Sequence, residues 1–445
     1  MSATTFRPGD DGYASGTAGF QTGFALAPER VVGATDDGDV RAAVAYAAAR
    51  GLSVGVEATG HGRPGTADGG VLISTRRMDS VHVDPERRTA RIGAGATWGQ
   101  VIEAAAPHGL APLNGSSPGV GAVSYTLGGG LGVLAREFGY AADHVRSLDL
   151  VTADGVLRHV AADSEPELFW ALRGGGHRLG VVTALETGLV AVQRLYGGSI
   201  AFDGGSGDTA ADVLRRYLEW TRTVPDALTS SLSALTLPDI PQVPGPMRGR
   251  YVVSVRVAYT GSAAEGERLV APLREVAPAL ADSLREMPYT DSHTIHSDPP
   301  FPHAYYGDSA VLGELGAEVA VRMLELTGPK APMMTVVQLN HLGGALARQP
   351  AVPNAVPYRD AGFLLRLLSP LDGTDVAAVR ALYAEVAGVL EGTALGRLLN
   401  FSFGGGDRTE GFHGPRTRER LAGLVSRHDP ASLFGGAYGV SRDAR

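Results

Sequence analysis

Apolar residues recur at helical spacing in "DDGDVRAAVAYAAARGL", where Val40, Ala43, Val44 and Ala47 share one face, acids open the segment and Gly51 stops it. An alternating stretch, Leu52, Val54 and Val56, follows and predicts a strand that ends at the glycine-flanked His61. In "TARIGAGATWGQVIEAAAPHGL" the pattern is a short strand, a Thr97 to Gln100 capping box, and a helix closing at Gly109. Two alternating runs around Asp154-Gly155 predict a hairpin. Pro166 opens a helix that ends in three glycines, and "LGVVTALETGLV" returns as a strand. Beyond residue 200 the texture changes. "GRYVVSVRVAY", "MMTVVQLNHLGG" and "AGFLLRLLSP" are strand-like and lie between helical segments such as "TAADVLRRYLEWTRT" and "TDVAAVRALYAEVAGVL". This predicts an antiparallel sheet backed by helices, and the tail "TRERLAGLVSRHDPASLF" returns to a helix with a proline stop.

Length and composition narrow the class. At 445 residues the chain has room for two or three domains, and 44% hydrophobic with 19% charged residues is a globular balance. The Ala, Gly and Arg richness fits a high-GC bacterial genome, and a cytoplasmic bacterial protein is expected. A net charge of −8 with no Lys/Arg run argues against nucleic acid as a partner. No cysteine is present, which removes disulfides, thiolate metal sites and cysteine nucleophiles together. The first residues lack the apolar core of a signal peptide, and no apolar run reaches the roughly 18 residues of a membrane helix, so no membrane partner is expected.

Two glycine-rich loops, 57–65 and 114–132, let backbone N–H groups converge on an anion and point to a long ligand with a pyrophosphate in its middle. Gly128-Gly129-Gly130-Leu131-Gly132 misses the dinucleotide-binding spacing, and no P-loop Gly-Lys-Ser/Thr occurs. A nicotinamide dehydrogenase and a P-loop NTPase are both disfavoured. In "HTIHSDPPFPHAYYGD" three histidines fit no helical ligand pair, and no metal site is expected.

The ordered motifs "GHG", "DGGVLI", "TARIGAGATWGQV", "SSPGVG", "LGGGLG", "VTADG", "LFWALRGGG" and "GVVT", with "NF" and "RHDP" near the end, resemble the berberine-bridge-enzyme branch of the vanillyl-alcohol-oxidase/p-cresol-methylhydroxylase flavoprotein superfamily. The resemblance covers about residues 10–192 and 396–440, and is weaker between them. It implies an α+β, two-domain flavoprotein: a split FAD-binding domain of the PCMH type, residues 1–200 and 396–445, and a substrate domain, 201–395, whose antiparallel sheet is backed by helices. It also implies FAD linked through the flavin 8α carbon to His61, a bond an imidazole can form by attack on an electrophilic methyl. Ser117 stands where some relatives carry a cysteine for a second link, so one bond is implied. Thr59, Gly60, Gly62, Ser117, Gly121, Tyr125, Gly128, Gly129, Gly132, Val133, Gly180, Val181, Val182 and Asn400 fall at the family's cofactor positions, and Ala122 at its oxygen-gating position.

The substrate side departs from the family. Leu398-Leu399-Asn400-Phe401 lacks the tyrosine base, Arg366 replaces a glutamate, and Glu57 and Thr59 replace an arginine and a glycine before the histidine. Gln338, Asn340 and Tyr251 are the candidate replacement catalytic groups, with Gln338 and Asn340 on one strand face and His341 on the other, and with His303, Tyr305 and Tyr306 in further lining segments. The expected reaction takes a hydride from an alcohol- or amine-bearing carbon of a small-molecule secondary metabolite, such as an antibiotic precursor, with O2 reoxidising the flavin and giving H2O2. Two alternatives stay open: a flavin-dependent oxygenase acting on polyketides, and a non-redox cyclase or metabolite-binding protein with structural FAD. The oligomeric state is not legible.

Overall fold

The computed structural model describes residues 3–63, 67–176, 178–404 and 410–435. The end of the C-terminal motif stretch, residues 436–440, therefore lies outside the described residues, as do two residues of the "GHGRPG" loop, Pro64 and Gly65.

The first region forms two small sheets and a two-stranded parallel pair, Leu26–Ala27 with Ala67–Asp68. Arg30–Gly33, Val71–Ser74 and Val54–Glu57 run parallel, and Thr4–Phe6 adds antiparallel at the edge. Over them packs Asp37–Ala48, whose Val40, Ala43, Val44 and Ala47 are all buried and whose N-terminus is capped by Asp36, which accepts from the Asp39 N–H at 3.0 Å. The second sheet has the order Leu157–Ala161, Val145–Val151, Val181–Gly188, Thr89–Gly93, Val81–Asp84, antiparallel throughout. Its first pair is the predicted hairpin, turned at Gly155 with φ 74°. Trp98–Ala105 begins where expected, with the Gln100 side chain accepting from the Thr97 N–H at 2.9 Å.

The strand before His61 departs from its pattern. Val54 is buried, but Val56 is 37% exposed and Glu57 is buried. A carboxylate can occupy that position because Arg63 engages both its oxygens, at 2.6 and 2.8 Å, and Arg76 adds a contact at 3.1 Å.

A nine-stranded antiparallel sheet makes up the middle of the chain, and Arg194–Asp203, Tyr251–Tyr259, Leu228–Thr236, Val336–His341, Phe363–Pro370 and Tyr305–Leu312 lie side by side in it. Four helices, Thr209–Trp220, Ala263–Arg274, Ala317–Thr327 and Val376–Val389, bury one face in a common core. The sheet is entered at Arg194, a few residues before the expected boundary at 200. After it, Pro415–His428 returns to the first region and buries Leu421, Leu424 and Val425 with Trp98, Phe169 and Leu185. The helix-free face of the large sheet is turned toward the glycine-rich loops. Among the described residues, no helix is long and apolar enough to cross a membrane.

Candidate functional site

Between that sheet face and the loops lies one continuous cavity of about 2180 Å³. It runs from Ser53, Val54 and Phe434, past Thr59 to Arg63 and the 115–117 and 128–133 loops, to Ser231, Ser254, Arg256, Gln338, Asn340 and Arg366 on the sheet. Ordinary ligand pockets hold about 300–1,000 Å³, so this one has room for a long cofactor and a second molecule together.

His61 lines this cavity. Its ring stacks on Phe20 with centroids 3.9 Å apart and planes 12° apart, and its Nδ1 is 2.8 Å from the Thr59 hydroxyl. Nε2 is buried without a partner. Burial, with a smaller contribution from His303, lowers the imidazole pKa to about 4, so the ring is a neutral nucleophile at pH 7. The loop is held in place by its backbone: Phe20 N–H donates to Thr59 C=O and Gln21 N–H to Gly60 C=O, each at 3.0 Å, while the Tyr305 hydroxyl donates to the His61 carbonyl. Gly60 is obligatory, since its φ is 73° and a Cβ there would stand 2.7 Å from the Gly19 Cα.

The second loop is tight at several of its glycines. A Cβ on Gly132 would lie 2.5 Å from the Asn114 carbonyl oxygen. Asn400 clamps this loop rather than reaching freely into the cavity: its Nδ2 donates to the Tyr125 carbonyl at 2.9 Å and its Oδ1 accepts from the Gly130 N–H at 3.0 Å. Tyr125 lies edge-on to Trp98, and its hydroxyl is buried without a partner, so burial raises its pKa far above the ordinary value. It is a neutral hydroxyl in the cavity wall.

Of the sequence-predicted cofactor residues, Thr59, Gly60, His61, Gly62, Ser117, Tyr125, Gly128, Gly132, Val133, Gly180, Val181, Val182 and Asn400 line the cavity. Gly121, Ala122 and Gly129 do not. Ala122 is fully buried at the start of Ala122–Leu127, packed in the core of the second sheet, and its N–H donates to the Ala96 carbonyl at 2.9 Å. The small residue at the expected gate is thus a packing residue here. Gly129, with φ 109°, serves the turn itself.

On the sheet face, Arg366 donates to the Gln338 Oε1 at 3.2 Å, and the Gln338 Nε2 donates to the Asn340 Oδ1 at 2.8 Å. Gln338 and Asn340 therefore face the cavity as expected, whereas Tyr251 does not. Strand alternation puts Tyr251 with Val253 and Val255 in the helix-side core, where burial pushes its hydroxyl up to about 12. Tyr306 is in that core too, while His303 and Tyr305 line the cavity and His341 turns to Arg136, 2.8 Å from its Nε2. Three further lining residues escaped the sequence reading: Arg256, His296 and Asp298, the last accepting from the Ser116 hydroxyl. Arg256 was findable, because it and Ser254 are the polar alternates of an otherwise apolar strand. His296 and Asp298 stand on a loop with no periodicity to read.

Residues 28–161 match the FAD binding domain family. The (R)-6-hydroxynicotine oxidase of Paenarthrobacter nicotinovorans is 32% identical over 281 residues, which are 61% of this chain and 58% of that protein's length. The crystal structure of 6-hydroxy-D-nicotine oxidase from Arthrobacter nicotinovorans superposes with a TM-score of 0.83 at 24% identity, covering 98% of this chain and 96% of the other. A glucooligosaccharide oxidase from Acremonium strictum, which carries a 6-S-cysteinyl, 8α-N1-histidyl FAD, has a TM-score of 0.83 at 18% identity, with 97% and 95% covered.

Proposed function

We infer that the chain is an FAD-dependent oxidase of the vanillyl-alcohol-oxidase/p-cresol-methylhydroxylase flavoprotein superfamily, with its flavin held covalently by His61 and an alcohol- or amine-bearing secondary metabolite as its substrate. The observation that carries this reading is the buried, partnerless imidazole nitrogen of His61 in a cavity lined by glycines. An orphaned buried nitrogen costs about 1–3 kcal/mol, and a bond to a cofactor removes that cost. The glycine cradles at Gly60 and Gly132, the Tyr125 hydroxyl and the length of the cavity fit the same group. When bound, FAD supplies a two-electron acceptor that O2 can restore, with H2O2 as the by-product.

The chain's own residues do the rest. Thr59 fixes the ring of His61 through Nδ1, leaving Nε2 toward the cavity. The Arg366, Gln338, Asn340 chain holds two amide groups at the sheet face, where they can orient a hydroxyl or amine but cannot take its proton. His296, on the loop beside that face, is held neutral by burial and by Arg256, and its buried, unpartnered Nδ1 makes it a candidate hydrogen-bonding group for the substrate. With Ser117 in place of a cysteine, one covalent bond is the most this site can form.

The test is a screen of alcohols and amines against the FAD-loaded protein, followed by oxygen electrode and peroxide assay. An oxidase bleaches the flavin under anaerobic conditions and, in air, releases one H2O2 per O2 consumed. Incorporation of labelled oxygen into the product would replace this reading with the oxygenase, and turnover indifferent to flavin reduction would replace it with a non-redox role.

A further inference from the structure

The sheet face carries more positive charge than a neutral substrate requires. Arg256 and Arg366 both project into the cavity, and among the described residues no ion pair engages either one. Arg366 spends one donor on Gln338 and lies over the Phe401 ring, with its Cζ 4.3 Å from the ring centroid. Arg256 Nη1 is buried with no hydrogen-bond partner at all. Ser231, its register partner on the neighbouring strand, is likewise buried with a partnerless hydroxyl. A guanidinium donor and a hydroxyl that share one spot, out of water and unsatisfied, are costly unless a ligand acceptor completes them. Burial lowers the pKa of both arginines, and Asp298, the one carboxylate acting on both, opposes that shift; one carboxylate against two guanidiniums leaves a net positive charge.

Three large apolar side chains also stand exposed along the same cavity. Ile240, Phe301 and Met334 line it while remaining 42%, 60% and 36% exposed. Large side chains left in water along a cavity mark a contact surface for an apolar body.

We propose that the substrate of this site is an organic anion, whose oxyanion is received by Arg256, Arg366 and Ser231 and whose apolar body lies along Ile240, Phe301 and Met334. The inference rests on reading the sheet face as the substrate side of a flavin site. Strands are ~4.8 Å apart, so the two arginines, three strands from each other and offset by two residues along them, stand roughly 14 Å apart across the sheet and roughly 7 Å apart along it, and reach inward from either side of the oxyanion. Such a charge-assisted pair discriminates an oxyanion from its neutral isostere far better than the amides of Gln338 and Asn340 can.

The probes are 1-naphthoate and its uncharged isostere 1-naphthamide, titrated by calorimetry into the purified protein, with FAD content read from the visible spectrum of the same sample. Naphthoate is expected to bind about tenfold or more tighter than naphthamide, and the difference is expected to shrink with added salt. Arg256→Met should remove about tenfold from naphthoate binding and leave naphthamide unchanged. Should that variant fail to fold, the wild-type comparison and Arg256→Lys still decide, because lysine keeps the charge and loses the forked donor. Equal binding of the two probes to FAD-loaded wild type would overturn the proposal while the flavin reading stood. A sample that prefers naphthoate but retains no FAD would support the anion site and remove the flavin reading.

Discussion

At the scale of residues, position 60 shows how little freedom the His61 loop has. Gly60 needs φ 73° and touches backbone, whereas Gly62 two residues on has ordinary φ and nothing within 4 Å of where its Cβ would be. Gly60→Ala should therefore cost about 1–3 kcal/mol, and Gly62→Ala should stay within about 0.5 kcal/mol of wild type. Urea midpoints at unchanged slope measure both, and equal midpoints would show that the loop tolerates rearrangement. The same loop explains Glu57. Where the resemblance leads one to expect an arginine, the chain has the opposite charge, and Arg63, six residues on and 6% exposed, supplies the guanidinium instead.

At the scale of elements, Arg136 is one of the ties across the seam between the two regions. Arg136 donates to the carbonyls of Leu228 at 3.0 Å and Leu342 at 2.8 Å and to His341 Nε2 at 2.8 Å, and so ties a short helix of the first region to two strands of the large sheet. That last bond requires a neutral imidazole, and burial together with Arg136 lowers the His341 pKa to about 3. The unfolded histidine, near its ordinary 6.5, binds more protons than the folded one between about pH 3 and 6.5. Stability should accordingly be complete above pH 7 and fall as the pH drops through that window. His341→Gln should flatten this fall and leave the stability difference constant above pH 7. Denaturant unfolding from pH 4 to 8 reads it, and identical slopes in the two proteins would remove His341 from the account.

At the scale of the whole molecule, what could be read from the sequence was whatever repeats along the chain. Helical spacing located Asp37–Ala48, and the Asp154-Gly155 pair located the hairpin, because local chemistry decides both. Asn400 and Tyr251 show the boundary of that method. Asn400 lines the cavity where the resemblance places it, but both ends of its amide also bond the glycine loop some 270 residues earlier, a contact that no local pattern encodes. Tyr251 was assigned to the lining, yet the alternation of its strand, anchored by Val253 and Val255, turns it to the helices. The arginines of the sheet face became meaningful only once register placed Arg256 opposite Ser231 and Arg366 opposite Gln338.

One measurement bears most directly on the central claim that His61 holds FAD covalently in this cavity. The purified protein is precipitated with acid, spectra are taken of pellet and supernatant, and the intact mass is determined for wild type and His61→Ala. The account predicts a yellow wild-type pellet and a mass increased by one FAD, with both lost in His61→Ala. A colourless wild-type pellet at the mass of the bare chain, after reconstitution with FAD, would contradict it.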